Sequence, residues 1–199
     1  MIINLLNTLS DKEIKKVKYI SINKNNILFQ EDSLCNCIGI VIKGKLTINS
    51  YSYNGKEINY SIIEENQLFG HNLLFSSSPF YKGNVIASLD SKIALIYKDD
   101  LIYLMQNNSK FLSSYLLILN NNTKSLNFKV KLLSIENATD RFLYYLHEYN
   151  NVIEFKSVTE LAKRLFLRRE TLSRILSKLT KDNVIKINFN NIIKSDENH

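Results

Sequence analysis

The sequence contains no run of apolar residues approaching the roughly 18 that a membrane-spanning helix needs. Its N-terminus, MIINLLNTLSDKEIKK, lacks the basic lead of a signal peptide, and acidic residues follow the short apolar run at once. A cytoplasmic protein with no membrane partner is expected. Cysteine is scarce, with Cys35 and Cys37 the only two. Two thiols cannot complete a four-ligand zinc or iron–sulfur site, and a reducing compartment argues against a structural disulfide. Their i, i+2 spacing places both on one face of a strand, as ordinary strand residues. The alternative, redox sensing, requires a depressed thiol pKa. Histidine is equally scarce: His71, His147 and the terminal His199. These are too few to build a multi-histidine metal site, and no nucleophile–base constellation stands out. No metal, cofactor or catalytic residue is assigned, and an enzyme is not expected.

What is present is an ordinary globular composition, 45% hydrophobic and 23% charged, in a chain of 199 residues. That length suits one large domain or two small ones, each with a real core. The formal net charge of +7 is strongly localised. Between Lys156 and Lys181 lie Lys156, Lys163, Arg164, Arg168, Arg169, Arg174, Lys178 and Lys181, against only Glu160 and Glu170. So concentrated an excess suggests a polyanion footprint. The bland alternative is a solvated basic helix face.

Three regions follow, 1–108, 109–136 and 137–199. The first is strand-rich after a short N-terminal helix, opened by a Ser10/Glu13 capping box. Its apolar runs are Asn26–Phe29, Ile38–Ile42, Leu46–Tyr51, Ile58–Ile63, Asn84–Ala87 and Ile93–Tyr97. Turn signals at Lys43-Gly44-Lys45, Asn54-Gly55 and Ser76–Pro79 separate them. Short strands at nearly regular spacing indicate an antiparallel sandwich or small barrel. The second region is one long helix over Lys110–Ile135, without glycine or proline. Leu112, Leu116, Leu119, Thr123, Leu126, Val130 and Leu133 recur at alternating spacings of 4 and 3. A seam this narrow favours pairing with a second copy over docking on a globular core. The third region reads helix (Asp140–Tyr149), short hairpin, helix from a Ser157/Glu160 capping box through Leu165, helix (Arg169–Thr180), and a hairpin of Val184–Ile187 and Ile192–Lys194. The tail Ser195–His199 is expected to be disordered.

Two short helices joined by a short turn form a helix-turn-helix, whose second helix offers polar donors to the major groove. In LRRETLSRILSKL, Leu172, Ile175, Leu176 and Leu179 form a buried stripe. Arg168, Arg169, Glu170, Ser173, Arg174 and Ser177 lie off it, and Lys178 extends the basic side. Arg grips the O6/N7 edge of guanine in a fork, and Glu accepts from the amino group of cytosine. A carboxylate among phosphate-facing cations is an electrostatic cost unless it reads a base, so Glu170 is more telling than another cation. Ser157 and Thr171 sit at helix starts suited to phosphate. Arg–Glu pairs on a plain surface helix are the competing explanation.

With these residues in view, the chain resembles the CRP/FNR family of bacterial transcription regulators. The similarity runs almost without gaps from IKGKLTINSYSYNGKE through FGHNLLF and the long helix to SVTELAKRLFLRRETLSRILSKL, the most specific part. The resemblance implies an α+β fold: an N-terminal antiparallel β-roll like a cyclic-nucleotide-binding domain, a long dimerisation helix, and a C-terminal winged helix-turn-helix. It implies a homodimer on double-stranded DNA, with Arg169, Glu170 and Arg174 reading a TGTGA-like half-site in an inverted repeat. Ser157 and Thr171 match phosphate-contacting positions.

The chain departs from the family at the effector pocket. Cyclic-nucleotide-binding members carry Gly-Glu and, about ten residues on, Arg-Ser or Arg-Thr. Here Gly70 is kept, but His71, Tyr81 and Lys82 stand at the Glu, Arg and Ser positions, and Leu126-Asn127 replaces the adenine-reading Thr-Ser. Without the arginine a bound phosphate loses its forked charge partner, and a lysine does not restore the fork. Control by cAMP is therefore not expected, and another small effector is the alternative. Haem or iron–sulfur sensing fits poorly for want of ligands. Phe166 stands where the family's turn commonly has Gly or Asn. HEYNNVIEF is shorter than the loop that touches RNA polymerase in the catabolite activator, so RNA polymerase remains only a candidate partner.

Overall fold

The computed structural model describes residues 5–51, 53–55 and 57–195. It divides into two compact units, Met1–Leu119 and Asn120–His199. Among the described residues no helix is long and apolar enough to cross a membrane.

The first unit is built on two four-stranded antiparallel sheets. One orders β1 (Lys18–Ile22), β8 (Ser91–Tyr97), β3 (Cys37–Lys43) and β6 (Leu68–Phe69) as β1-β8-β3-β6. The other orders β2 (Ile27–Phe29), β7 (Asn84–Ala87), β4 (Leu46–Tyr51) and β5 (Glu57–Ile63) as β2-β7-β4-β5. β7 alternates half-buried and buried side chains, the period-two signature of a strand with one face on a core. β3 and β8 are instead nearly continuous buried runs, and they pair in register from Cys37↔Tyr97 to Val41↔Ile93. Gly39 lies in this pair because the ring of Phe69 occupies its side-chain space: a Cβ there would come within 2.0 Å of the ring. The six expected strands are present, and β4 pairs with β5 across the Asn54-Gly55 turn. The flanking Ser52 and Lys56 lie outside the described residues.

The structure also differs from expectation here. β1 and the two-residue β6 were not foreseen. α1 (Lys98–Asn107) is a helix inside the stretch read as strand-rich, burying Leu101 and Leu104 at i, i+3. The N-terminal helix is reduced to two 3-10 turns, Leu5–Thr8 and Ile14–Lys16. The Ser10/Glu13 interaction nevertheless forms, with the Ser10 backbone N–H donating to Glu13 Oε2 at 2.9 Å. Asn108 explains why the chain turns there instead of continuing as helix. Its Oδ1 accepts from Phe111 N at 2.9 Å, while its Nδ2 donates to Thr8 O and Glu13 Oε2. It caps the following helix and ties down the N-terminal segment at once. Cys35 and Cys37 do not share a strand: Cys37 opens β3 and Cys35 precedes it.

α2 (Ser109–Ser134) is the expected long helix. Phe111 and Tyr115 join the core of the first unit, and Leu132 joins the core of the second. The second unit contains α3 (Ala138–Glu148), β9 (Val152–Glu154), α4 (Val158–Arg164), α5 (Arg169–Lys181), β10 (Ile185–Asn188) and β11 (Asn191–Lys194). The three strands form an antiparallel sheet in the order β10-β11-β9. The short hairpin expected after α3 is therefore a single strand, which finds its partner in β11 at the other end of the unit. Asn137 caps α3 by accepting from Thr139 N and Asp140 N. Ser157 caps α4, its Oγ accepting from Glu160 N at 3.1 Å. Residues 196–199, most of the expected disordered tail, lie outside the described residues.

Candidate nucleic-acid interface

α4, a turn through Leu165–Arg168 and α5 form the centre of the second unit. α5 is amphipathic by spacing: Leu172, Ile175, Leu176 and Leu179 are buried with Phe142, Leu146, Leu161, Leu165, Ile185 and Ile192. Each such side chain contributes about 1.5–3 kcal/mol on leaving water. Burying that stripe fixes the rotation of the helix, and the opposite side is turned to solvent. Arg168, Arg169, Glu170, Ser173, Arg174 and Lys178 are all exposed, as is Ser157 at the start of α4, and Thr171 is half-buried.

The competing explanation required these charges to pair with one another along the helix. Among the described residues, none of Arg168, Arg169, Glu170, Arg174 and Lys178 enters an ion pair. The contrast is with α4, where Arg164 is bound to Glu160 one turn back and also donates to Glu154 O at 3.0 Å. The cations of α4 are thus partly used within the fold. Those of α5 present unsatisfied donors beside one unsatisfied acceptor, a set able to address base edges and phosphates together.

The turn between the helices is held in a way the sequence did not disclose. Phe166 has φ +53°, the left-handed conformation that closes a helix C-terminus and is usually given to Gly or Asn. Arg141 of α3 supports it. Its Nη1 faces the carbonyls of Leu165 and Phe166 at 3.4 and 3.3 Å, and its Nε and Nη2 donate to Ile135 O at 3.0 and 2.6 Å. One guanidinium thereby neutralises carbonyls at the end of α4 and just beyond the end of α2. The sequence signal was slight: a single cation on a helix whose apolar side had been assigned to the core.

On α2, the expected seam divides. Leu112 and Leu119 are half-buried, with Leu119 packed on the core of the first unit. Leu116, Leu126, Val130 and Leu133 expose 48%, 61%, 59% and 53% of their surface, and Thr123 is also exposed. On α2 only Phe111, Tyr115 and Leu132 are buried, and this apolar row is an uncovered surface.

The residues expected at an effector pocket are not brought together in one unit: Gly70, His71, Tyr81 and Lys82 lie in the first, Leu126 and Asn127 in the second. Gly70 has φ +75°, and a Cβ there would meet Cys37 O at 2.7 Å. Tyr81 is 2% exposed, stacked on Phe29 with ring centroids 4.8 Å apart. Its hydroxyl is buried near the two thiols without a hydrogen bond of ordinary geometry. An aromatic ring packed into the core thus stands where the family resemblance calls for a phosphate-binding cation. Burial keeps the His71 imidazole below its ordinary pKa and pushes the Cys37 thiol up to about 12. Lys82 is exposed. Among the described residues no three His, Cys, Asp or Glu side chains converge on a metal position.

With this geometry described, similarities to known proteins are informative. Residues 19–108 match the family model of the cyclic nucleotide-binding domain. The fold resembles that of a mutant of CooA from Carboxydothermus hydrogenoformans, 17% identical, with a TM-score of 0.62 over 98% of this chain and 91% of that one. It also resembles the catabolite activator protein of Thermus thermophilus, 18% identical, TM-score 0.55, over 97% and 94% of the two chains. A transcriptional regulator from Thermotoga maritima is 25% identical over 63% of this chain and 98% of its own, with a TM-score of 0.56. No curated protein matches the sequence. The chain shares the fold of these proteins.

Two outcomes are expected from these contacts. Arg141→Ala should lower the unfolding free energy by about 1–3 kcal/mol, the usual loss for hydrogen bonds to a charged group. Urea unfolding would measure it, and an unchanged midpoint would remove the clamp. The Cys37 thiol is favoured neutral in the folded chain, so its contribution is complete below about pH 9 and is lost as pH rises toward 12. Native Cys37 should resist alkylation at pH 8 and react readily in urea, and equal rates in both would contradict its burial.

Proposed function

We propose that this protein is a DNA-binding transcription regulator of the CRP/FNR type, acting as a homodimer on an inverted repeat. The C-terminal part, 137–199, is the winged helix-turn-helix, 1–108 is the sensor β-roll, and 109–136 is the dimerisation helix. The observation that carries this reading is the free Arg169–Glu170–Arg174 set on α5, whose opposite side is locked into the core. Arg169 and Arg174 address guanine edges, Glu170 addresses a cytosine amino group, and Arg168, Ser157, Thr171, Ser173 and Lys178 hold phosphates or neighbouring edges. A TGTGA-like half-site fits that set. The regulator is cytoplasmic and performs no catalysis.

Two copies pair through Leu112, Leu116, Leu119, Thr123, Leu126, Val130 and Leu133. The exposed apolar row on α2 supports this, because water contact at four aliphatic residues is a standing cost that a second copy removes. Dimerisation repeats the recognition helix with two-fold symmetry, which an inverted repeat matches.

A second reading, a sensor answering to a small effector, is favoured by the match of residues 19–108 to the cyclic nucleotide-binding domain. Tyr81 in the core argues that the effector is neither cAMP nor cGMP. A cyclic phosphate near Gly70 would find no guanidinium at position 81, and displacing Tyr81 would expose Phe29 and the two thiols.

Selection from a random-sequence duplex library at stated ionic strength tests the main reading, the expected product being an inverted repeat. Arg169→Ala or Arg174→Ala should then cost about 1–3 kcal/mol and relax preference at one position of each half-site. If both variants select the parent's sequence with undiminished affinity, the base-reading assignment fails. Leu126→Asp combined with Val130→Asp changes only exposed positions and should leave the fold intact while shifting sedimentation from dimer to monomer. A persistent dimer would place the interface elsewhere.

A further inference from the structure

The DNA-binding reading leaves a buried group of potential ligands unused: the thiols of Cys35 and Cys37 and the hydroxyl of Tyr81, residues that are 2%, 0% and 2% exposed. They gather beside Gly70. Cys35 Sγ lies 3.4 Å from Cys37 O and 3.5 Å from Gly70 O. A Cβ on Gly70 would stand 3.2 Å from Cys35 Sγ and 3.5 Å from the Tyr81 hydroxyl. That hydroxyl is close enough to both thiols to interact with each, yet it makes no hydrogen bond of ordinary geometry. The segments that carry these groups are held together by backbone. Cys35 N donates to Pro79 O at 2.7 Å, and Tyr81 N donates to Ser33 O at 3.0 Å.

Such a donor set is selective. Among the described residues no group of three His, Cys, Asp or Glu side chains could hold a metal ion, so a four-ligand zinc site is not available. Calcium and magnesium need about six or more oxygen ligands. Two sulfurs in a dry core suit a soft monovalent cation, and Cu(I) is the one that thiolates select. We infer that Cys35 and Cys37 bind one Cu(I) ion as a two-sulfur site, with the Tyr81 hydroxyl donating a hydrogen bond to a ligating thiolate. On binding, both S–H bonds break, two S–Cu bonds form and both protons leave for solvent, with no electron transferred. Two thiolates around a monovalent ion carry one net negative charge, and the phenol is a donor already placed beside it. Burial that keeps the Cys37 thiol protonated does not oppose this, because the metal ion replaces the proton. The inference goes beyond the proposed function and does not rest on it, since the site lies within the β-roll and is detected without DNA.

The test equilibrates the full-length, reduced protein without oxygen against Cu(I) held by a competing chelator. One equivalent should bind per chain, with an ultraviolet sulfur-to-copper band and an X-ray absorption spectrum of a two-sulfur shell. Affinity should rise steeply with pH, because thiol protons are displaced. Excess Zn(II) should not compete. Cys35→Ser and Cys37→Ser should each remove the ultraviolet band. Tyr81→Phe keeps the ring and should weaken binding about ten-fold with the stoichiometry unchanged, as for a group that supports a metal ligand. It should melt no lower than the parent, since it removes a buried hydroxyl that lacks a well-formed partner. Failure of the parent to take Cu(I) from the chelator overturns the inference, as does binding that survives both serine substitutions or shows a nitrogen or oxygen shell. Unchanged affinity in Tyr81→Phe overturns it too, and that variant decides the matter if a serine variant fails to fold. A chain that binds Cu(I) in this way but selects no duplex would lose the regulator reading and keep the metal site.

Discussion

The second unit depends on one packing constraint. Leu172, Ile175, Leu176 and Leu179 must leave water together, and they do so only if α5 presents a single rotation to α3, α4 and the small sheet. Everything chemically expressive on that helix follows from this. The guanidiniums of Arg169 and Arg174 and the carboxylate of Glu170 face outward because the leucines face inward. The stripe alone does not hold the entry to α5, where a left-handed Phe166 must be tolerated. Arg141 supplies what the stripe cannot, by offering its donors to carbonyls that the helix ends leave unpaired. Packing sets the rotation of the helix, and a buried-side hydrogen-bond clamp sets where it begins.

The first unit shows the opposite use of the same physics. At position 81, where the resemblance in sequence calls for a cation, an aromatic ring is part of a core. Tyr81, Phe29, Cys35 and Cys37 gather near Gly70, and burial keeps the tyrosine hydroxyl and the Cys37 thiol neutral. A buried phenol with no well-formed hydrogen bond is a local cost, offset by ring stacking and apolar contact around it. At Cys37 burial works against the redox alternative, since a thiol raised to about 12 holds almost no thiolate near neutrality.

Elements with strong period were legible from the residues. The long helix, α5 and the six recognised strands lie within a few residues of where their apolar spacing placed them. α1 was not legible because Lys98–Asn107 offers only Leu101, Leu104 and Met105 as an inward side, and it begins directly where β8 ends. The two-residue β6 was missed, and β9 was expected as a local hairpin, for a different reason. Their strand character lies in partners distant in sequence, β3 for one and β11 for the other. Only one half of the N-terminal capping box forms, the bond from Ser10 N–H to Glu13, and only a 3-10 turn follows it.

The sequence by itself determined the α+β organisation, the amphipathic split of α5 and the concentration of positive charge around it. Each is a property of neighbouring residues, encoded in spacing and composition. Tertiary structure alone decided that Glu170 and Arg174 stay unpaired, that Arg141 reaches the turn, and that Tyr81 fills the core. Those outcomes turn on distances between segments far apart in the chain, and no local periodicity records a distance.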